Sequence, residues 1–145
     1  MKRTVVAIIL TAVLTMPGFL ASQEPRFTDN GDGTVSDNST GLMWQQQDDG
    51  ALRNWESALG YCEDLTLAGH TDWRLPDIKE LRSIVDNTRY SPAIDLTYFP
   101  NTKLSWYWSS STYASSSNVA WGVYFGNGYV GDYYKAYTFY VRCVR

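Results

Sequence analysis

The sequence contains one histidine and two cysteines among 145 residues. Metal sites with several imidazole ligands, and catalytic groups that pair histidine with serine or cysteine, would all have to use His70. A simpler role for His70 is a hydrogen bond from its imidazole to the neighbouring loop. No glycine-rich phosphate-binding loop precedes a helix either. We therefore predict a protein without catalytic activity, cofactor or bound metal.

Long apolar segments are confined to the amino terminus. Two basic residues precede an apolar run from residue 5 to residue 14, and Pro17 and Gly18 follow that run. This arrangement is typical of a secretory signal peptide, which we place at residues 1–22, so residues 23–145 would form one domain. The run is short for a membrane span. We expect a periplasmic, cell-surface or secreted product with no integral membrane segment.

Positive charge is scarce. The formal net charge is −3, and loss of Lys2 and Arg3 with the signal peptide would bring the charge to −5. Nucleic acids are bound largely through basic side chains. Nucleic acid is therefore not an expected partner.

Both cysteines, Cys62 and Cys143, lie in the predicted mature domain. An even number of cysteines in an exported chain predicts a disulfide, which here would close most of the domain. The alternative, a reactive thiol, needs a thiolate in a basic environment.

Residues 26–46 alternate short β-prone segments with turn residues, which predicts a three-stranded meander. Three acidic residues in this region, Asp29, Asp32 and Asp37, leave a calcium site as an alternative. We prefer turns, because Asn-Gly and Asp-Gly pairs supply positive φ angles and no bidentate glutamate follows at the spacing of a calcium loop.

The middle of the chain predicts a helix, a short strand and a second helix. Trp73 and Leu75 alternate with polar residues as in a half-buried strand, and Pro76 should end that strand. Asp77 and Glu80 form a capping-box pattern for a helix with an apolar stripe to residue 85. We interpret the two acids as capping residues rather than as a catalytic pair.

The helix before this strand should begin after Asn54, an N-cap residue, and continue to about Leu65 with the first cysteine on its apolar stripe. Beyond the second helix, two prolines and an absence of periodicity predict a long connection as far as residue 103. We expect Ile94 and Phe99 to fix this connection to the core.

The second half of the chain is β-rich. Asn127 and Gly128 predict a hairpin turn. The predicted strands are residues 106–110, 119–125, 129–130 and 137–144. Helices followed by antiparallel strands indicate an α+β domain. The predicted core residues of this half are Trp106, Trp108, Trp121 and Phe125.

Residues 105–140 include eight tyrosines and seven serines, with glycine and asparagine between them. Antibody loops use the same residue types, because tyrosine gives a large contact area at little conformational cost and the small polar residues adapt. This composition predicts a ligand-binding surface. The candidate ligand-binding residues are Tyr113, Ser115, Ser116, Asn118, Tyr124, Asn127, Tyr129, Asp132, Tyr133 and Tyr134.

Five segments, in this order, resemble the bacterial family named for the C-terminal domain of the Legionella collagen-like protein. They are FTDNGDGTV (27–35), GLMW (41–44), DWRLP (72–76), YWSS (107–110) and YVRCVR (140–145). The resemblance implies a compact C-type lectin-like fold, related in shape to the formylglycine-generating enzyme and to the variable proteins of diversity-generating retroelements. It also implies extracellular binding.

This chain departs from its relatives in two respects. It has no Gly-x-y tract, so a collagen-like stalk is not implied. It also lacks the calcium-dependent sugar-binding motifs of animal C-type lectins. Our first hypothesis is a non-catalytic, exported recognition or adhesion domain for a protein or carbohydrate ligand. The alternatives are an enzyme of formylglycine-generating type and a structural component of the cell envelope or of a surface appendage.

Overall fold

The computed structural model describes residues 23–145, so the predicted signal peptide lies outside the described residues. These residues form an α+β domain with two helices and two antiparallel three-stranded sheets, as the sequence predicts. In chain order the elements are β1 (Phe27–Asp29), β2 (Thr34–Asp37), β3 (Met43–Gln45), α1 (Trp55–Glu63), α2 (Ile78–Ser83), β4 (Trp106–Thr112), β5 (Val119–Tyr124) and β6 (Tyr129–Tyr134). The closer relation to C-type lectins stays a prediction. No helix in this part of the chain is long and apolar enough to cross a membrane.

The first sheet has the order β1-β2-β3 and confirms the predicted meander. The acidic residues of this region accept hydrogen bonds within their own turns. The Asp29 carboxylate accepts from the Gly31 amide (2.9 Å), and the Asp32 carboxylate accepts from the Thr34 hydroxyl (2.6 Å). Among residues 23–145, no three histidine, cysteine, aspartate or glutamate side chains are grouped so that they could hold a metal ion.

Both helices begin at the predicted capping residues. The Asn54 side chain accepts a hydrogen bond from the Ser57 amide (2.9 Å) at the start of α1. At the start of α2, the Asp77 carboxylate accepts from the Glu80 amide (2.8 Å), and the Glu80 carboxylate accepts from the Asp77 amide (3.3 Å). The capping box is thus confirmed. Each helix ends two residues earlier than predicted, α1 at Glu63 and α2 at Ser83.

The second sheet has the order β4-β5-β6 and is covered on both faces. One face packs on α1, where Trp108 and Ala120 contact Ala58 and Cys62. The opposite face packs around α2. β6 continues to Tyr134, well beyond the predicted end at residue 130. The central position of the sheet explains why β5 buries residues on both faces rather than alternating between core and solvent.

The predicted core tryptophans fall into two groups. Trp108 and Phe125 are fully buried, as predicted. Trp106 and Trp121 are only partly buried. The prediction treated one face of each strand as core. In the structure, both faces of this sheet are covered near its centre, and both are open to solvent towards its ends. The connection before the sheet buries Ile94 and Phe99, as predicted.

The segment from residue 139 to residue 145, here called the carboxyl-terminal segment, is not the continuous strand that we predicted. Its ladder contacts are single bridges to different partners: Arg53 with Phe139, Tyr107 with Tyr140, and both Trp44 and Arg74 with Val144. A continuous strand would need one neighbour along its length, whereas this segment crosses from the second sheet to the first. The predicted strand at Trp73–Leu75 is likewise reduced to the single bridge at Arg74, although Trp73 and Leu75 are buried.

The predicted disulfide is confirmed. Cys62 in α1 and Cys143 in the carboxyl-terminal segment are bonded, with Cα atoms 5.5 Å apart and a separation of 81 positions in sequence. Both cysteines are fully buried. The bond therefore fixes the last residues of the chain to the first helix.

Arg142 is fully buried next to this disulfide, which the sequence analysis did not predict. Its guanidinium donates to the Gln45 carbonyl (2.7 Å) and lies 3.5 Å from the Asp48 carboxylate. The Tyr107 hydroxyl donates to the same carboxylate (2.6 Å). Burial raises the pKa of Tyr107, with its bond to Asp48 adding to that effect. This buried network holds the loop after β3 against β4 and the carboxyl-terminal segment.

Candidate functional site

One face of the second sheet carries a cluster of aromatic side chains, centred where β4 begins and β5 ends. In the strand register, Trp106 is opposite Tyr124, and Tyr124 is opposite Tyr129. Side chains of directly paired residues lie on the same face of a sheet. Tyr133 follows Tyr129 by four residues in β6, and alternate residues of a strand share a face, so Tyr133 lies on this face too. Trp106, Tyr124, Tyr129, Tyr133 and the neighbouring Tyr137 are here called the aromatic surface.

The rings of the aromatic surface are arranged around Trp106. The Trp106 ring centroid lies 5.5 Å from Tyr124, 6.0 Å from Tyr129 and 4.6 Å from Tyr133. The Tyr129 and Tyr133 rings meet Trp106 edge to face, a favourable geometry for aromatic pairs. Tyr137 extends the cluster, with its centroid 6.2 Å from Tyr133. The tyrosine rings are therefore grouped around the indole ring of Trp106.

Two glycines allow the rings to lie against the backbone. A Cβ atom at Gly131 would be 2.8 Å from Cη2 of Trp106, and a Cβ atom at Gly126 would overlap the Tyr124 ring. Phe139 supports Trp106 with a nearly parallel ring at 5.9 Å and contacts the buried Trp108 at 4.3 Å. The central rings are thus held in place by the sheet below them.

The outer rings of the cluster remain open to solvent. Tyr129 is 62% exposed and Tyr137 is 51% exposed. None of the cation–π contacts within residues 23–145 involves the aromatic surface. The result is a rigid, uncharged surface of rings and phenolic hydroxyls. Such a surface can bind a ligand by ring stacking and by neutral hydrogen bonds.

The structure brings together three of the predicted ligand-binding residues and separates the others. Tyr124, Tyr129 and Tyr133 belong to the aromatic surface. Asp132 is opposite Trp121 in the strand register and therefore lies on the other face of the sheet. Tyr113 also lies there, with its ring 5.3 Å from Trp121. Tyr134 is opposite Val119, so it too is on that face, although its ring is near Tyr137.

The remaining predicted residues lie in loops. Ser115, Ser116 and Asn118 are in the connection between β4 and β5, where the Asn118 carbonyl accepts from the Lys135 amide (2.8 Å). Asn127 lies in the turn between β5 and β6, and its side chain accepts from the Tyr129 amide (3.0 Å). The Asn127 side chain thus fixes the turn that leads into the aromatic surface.

Sequence reasoning missed two members of the aromatic surface. Trp106 was assigned to the core, and Tyr137 to a terminal strand. A usable signal was present: Gly122 and Gly131 are directly opposite each other in β5 and β6. Paired glycines in adjacent strands leave room for a large ring on that face. Trp106 occupies this space.

The family model described as the Lcl C-terminal domain matches residues 33–145. The chain belongs to the Lcl C-terminal domain family. The matched region begins at the end of the first turn, six residues after the start of the motif resemblance at residue 27. The matched region includes both cysteines and the whole aromatic surface. A comparison with curated proteins found no match to this chain.

A groove of about 450 Å³ lies beside the aromatic surface in this Lcl C-terminal domain, between the start of α1 and the turn after β6. The Lys135 ammonium lies 3.7 Å from the centroid of the Trp55 ring and donates to the Thr112 hydroxyl (2.9 Å). The Trp55 indole donates to the Ser109 carbonyl (2.8 Å). The Lys135 ammonium and the Trp55 indole N–H of this groove are thus engaged with neighbouring groups.

A second groove of the Lcl C-terminal domain, about 460 Å³, lies between β1 and the end of α2. The two carboxylates on its wall, Asp86 and Asp95, are both bound by Arg89, at 2.8 Å and 3.4 Å. Its third charged residue, Arg26, is bonded to Asp37 at 2.8 Å. Each charged residue of this groove thus has an ion-pair partner outside it, and the groove lacks the aromatic cluster.

The residues considered for catalysis have structural positions in this Lcl C-terminal domain. Both cysteines are in the disulfide, and no free cysteine occurs among residues 23–145. The backbone of His70 exchanges two hydrogen bonds with Leu67 across a tight turn. The expected bond from the imidazole is not formed with any described residue. Ala68 and Gly69 occupy the two turn positions, both with positive φ angles.

Proposed function

We propose that this Lcl C-terminal domain is an exported, non-catalytic recognition domain whose ligand contacts the aromatic surface. The ligand is a protein or carbohydrate on a cell surface or in the envelope. The observation that carries the proposal is the exposure of Tyr129 beside a tryptophan that the sheet holds in place, with Tyr137 exposed at the edge of the same cluster. Exposed rings on a rigid support can provide binding energy with little loss of conformational freedom.

Tyr129 and Tyr137, the exposed rings of the aromatic surface, lie outside the core clusters that stabilise the fold. Stability rests on the two buried core clusters and on the disulfide. Tyr129, by contrast, makes its aromatic contact only with Trp106 among the described rings. Tyrosine and tryptophan are also the residues that most often dominate binding energy at interfaces. This separation favours recognition as the role of the exposed tyrosines.

Two further observations support this proposal over a thiol-dependent enzyme. An enzyme of formylglycine-generating type needs a reactive thiol, whereas Cys62 and Cys143 are buried and bonded to each other. A buried disulfide is also typical of proteins that fold in oxidising compartments, which favours export.

Replacement of the two exposed rings of the aromatic surface tests the proposal. The double variant Tyr129→Ser/Tyr137→Ser removes ligand contacts while the core stays intact. Tyr90→Ser is the matched control, because Tyr90 is 84% exposed and lies in the connection between α2 and β4. Binding of each labelled protein should be measured on a panel of cell surfaces, envelope extracts, purified proteins and glycans, with the melting temperature as a check of folding.

We expect the double variant to lose about tenfold or more in affinity, since truncation of a dominant interface residue costs more than about 1 kcal/mol. The control should bind as well as the unmodified protein. Undiminished binding by a folded double variant would place the site elsewhere, and the loop at residues 45–53 would then be the next surface to test.

A further inference from the structure

We infer that the ligand of the aromatic surface is an uncharged carbohydrate, bound by stacking of its sugar rings on the aromatic rings. This inference rests on the proposed function and names the class of ligand. The charges around the aromatic surface, its hydroxyl groups and the arrangement of its rings all favour such a ligand.

Two basic side chains close to the aromatic surface, Lys135 and Arg53, already have partners. The Lys135 ammonium lies over the Trp55 ring and donates to the Thr112 hydroxyl. Arg53, which is bridged to Phe139, forms a salt bridge with Asp49 at 2.6 Å. An anionic ligand would therefore lose hydration at this surface without gaining a free positive charge from either side chain. A neutral ligand has no such cost.

The phenolic hydroxyls are available for neutral hydrogen bonds. Two tyrosines elsewhere in this domain use their hydroxyls internally: the half-buried Tyr61 accepts from the Gln45 amide group (2.9 Å), and the buried Tyr107 donates to Asp48 (2.6 Å). No described residue is hydrogen-bonded to the hydroxyls of Tyr124, Tyr129 and Tyr133. A phenolic hydroxyl both donates and accepts, as does each hydroxyl of a sugar. The two sets of groups are therefore complementary.

The ring arrangement fits a flat ligand with an apolar face. Tyr129 and Tyr133 stand at 80° and 61° to the Trp106 ring, so the three rings present planes in different directions. A sugar ring has an apolar C–H face that can lie on one of these planes, while its edge hydroxyls reach a neighbouring phenol. A protein partner would instead be expected to meet charged and polar residues at the rim of its interface. The aromatic surface offers few of these.

The test is a titration of the unmodified domain and of the Tyr129→Ser and Tyr90→Ser variants with defined sugars. The uncharged probes are six-sugar chains of glucose, N-acetylglucosamine, mannose and xylose. The charged probes are a six-sugar chain of galacturonic acid and dextran sulfate. Tryptophan fluorescence reports occupancy next to Trp106. Each titration is run at about 0.1 M and about 1 M NaCl, which shortens the Debye length from about 10 Å to about 3 Å.

We expect at least one uncharged chain to bind, with a Kd that changes less than about twofold between the two salt concentrations, since no charge pair is involved. The Tyr129→Ser variant should weaken that binding about tenfold, and Tyr90→Ser should leave it unchanged. Failure of every uncharged chain to bind overturns the inference, as does salt-sensitive binding of the charged probes alone.

These outcomes are distinguishable from failure of the proposed function. If a protein or an anionic polysaccharide binds and Tyr129→Ser weakens it, the recognition surface stands and the assignment to uncharged carbohydrate is wrong. If an uncharged chain binds equally to the unmodified domain and to Tyr129→Ser, both are wrong.

Discussion

Removal of the Cys62–Cys143 disulfide should lower the free energy of unfolding by about 4.5 kcal/mol. The bonded residues are 81 positions apart, and a crosslink over a loop of this length removes about that much chain entropy from the unfolded state at 25 °C. The single bridges of the carboxyl-terminal segment and its buried Arg142 network act only in the folded state, so they cannot replace this constraint on the unfolded chain. Domains of this size are stable by about 5–15 kcal/mol, so the loss would be a large fraction of the total.

The assay is urea denaturation of the Cys62→Ala/Cys143→Ala double variant, followed by tryptophan fluorescence and by circular dichroism. The unmodified protein under reducing conditions is the control, and its denaturation midpoint should fall with that of the double variant. A stability loss below about 1 kcal/mol would refute the reasoning, since the effect would then lie far below the chain-entropy estimate.

Three further outcomes can be measured on single variants. Trp73→Ala should cost about 3–5 kcal/mol in a urea titration, because it empties a large site that is only 2% exposed; a loss below about 1 kcal/mol would mean that the site collapses or fills with water. Gly131→Ala should displace Trp106, lower stability by about 1–3 kcal/mol through overpacking and weaken ligand binding; unchanged binding would contradict the role of Trp106. At Asp37, burial acts to raise the pKa, but hydrogen bonds from Arg26 and Ser39 outweigh it and lower the pKa. The stability from these bonds is therefore present above about pH 4 and is lost as the pH falls through the lowered pKa. Asp37→Asn should flatten the dependence of unfolding free energy on pH in this range. An unchanged slope would show that the Arg26–Asp37 ion pair does not cause this pH dependence.

Local chemistry explains which parts of the fold could be predicted from the sequence. Asn54, Asp77 and Glu80 act within one helical turn, so the residues that determine each helix start are adjacent in sequence. The turns of the first sheet depend in the same way on neighbouring glycines and carboxylates. The disulfide was predictable for a different reason, because only two cysteines are present.

The features that were missed depend on distant pairings. The carboxyl-terminal segment has a strand-like sequence, but its partners at Arg53, Arg74 and Trp44 come from three separate parts of the chain. An arginine is expected to be exposed, and the burial of Arg142 depends on the distant loop that carries Asp48. Such contacts have no local pattern that could reveal them.

The candidate site was only partly predicted, because it too depends on distant pairings. Composition alone identified Tyr124, Tyr129 and Tyr133, since tyrosine-rich segments favour binding. Composition could not separate the two faces of the sheet, so residues from both faces were grouped together. The register of β5 and β6 is needed to place Trp106 among the tyrosines and Asp132 on the opposite side.

The most direct test of the aromatic surface is a nuclear magnetic resonance titration of the ¹⁵N-labelled domain with the ligand that the binding panel selects. The six tryptophans each give one indole N–H signal, which single substitutions can assign. If the ligand binds as proposed, the Trp106 indole signal and the backbone amides of Tyr129 and Gly131 will shift with ligand concentration, while the Trp121 indole signal on the opposite face stays in place. Shifts at Trp121 and Tyr113, with Trp106 unmoved, would contradict the proposed site.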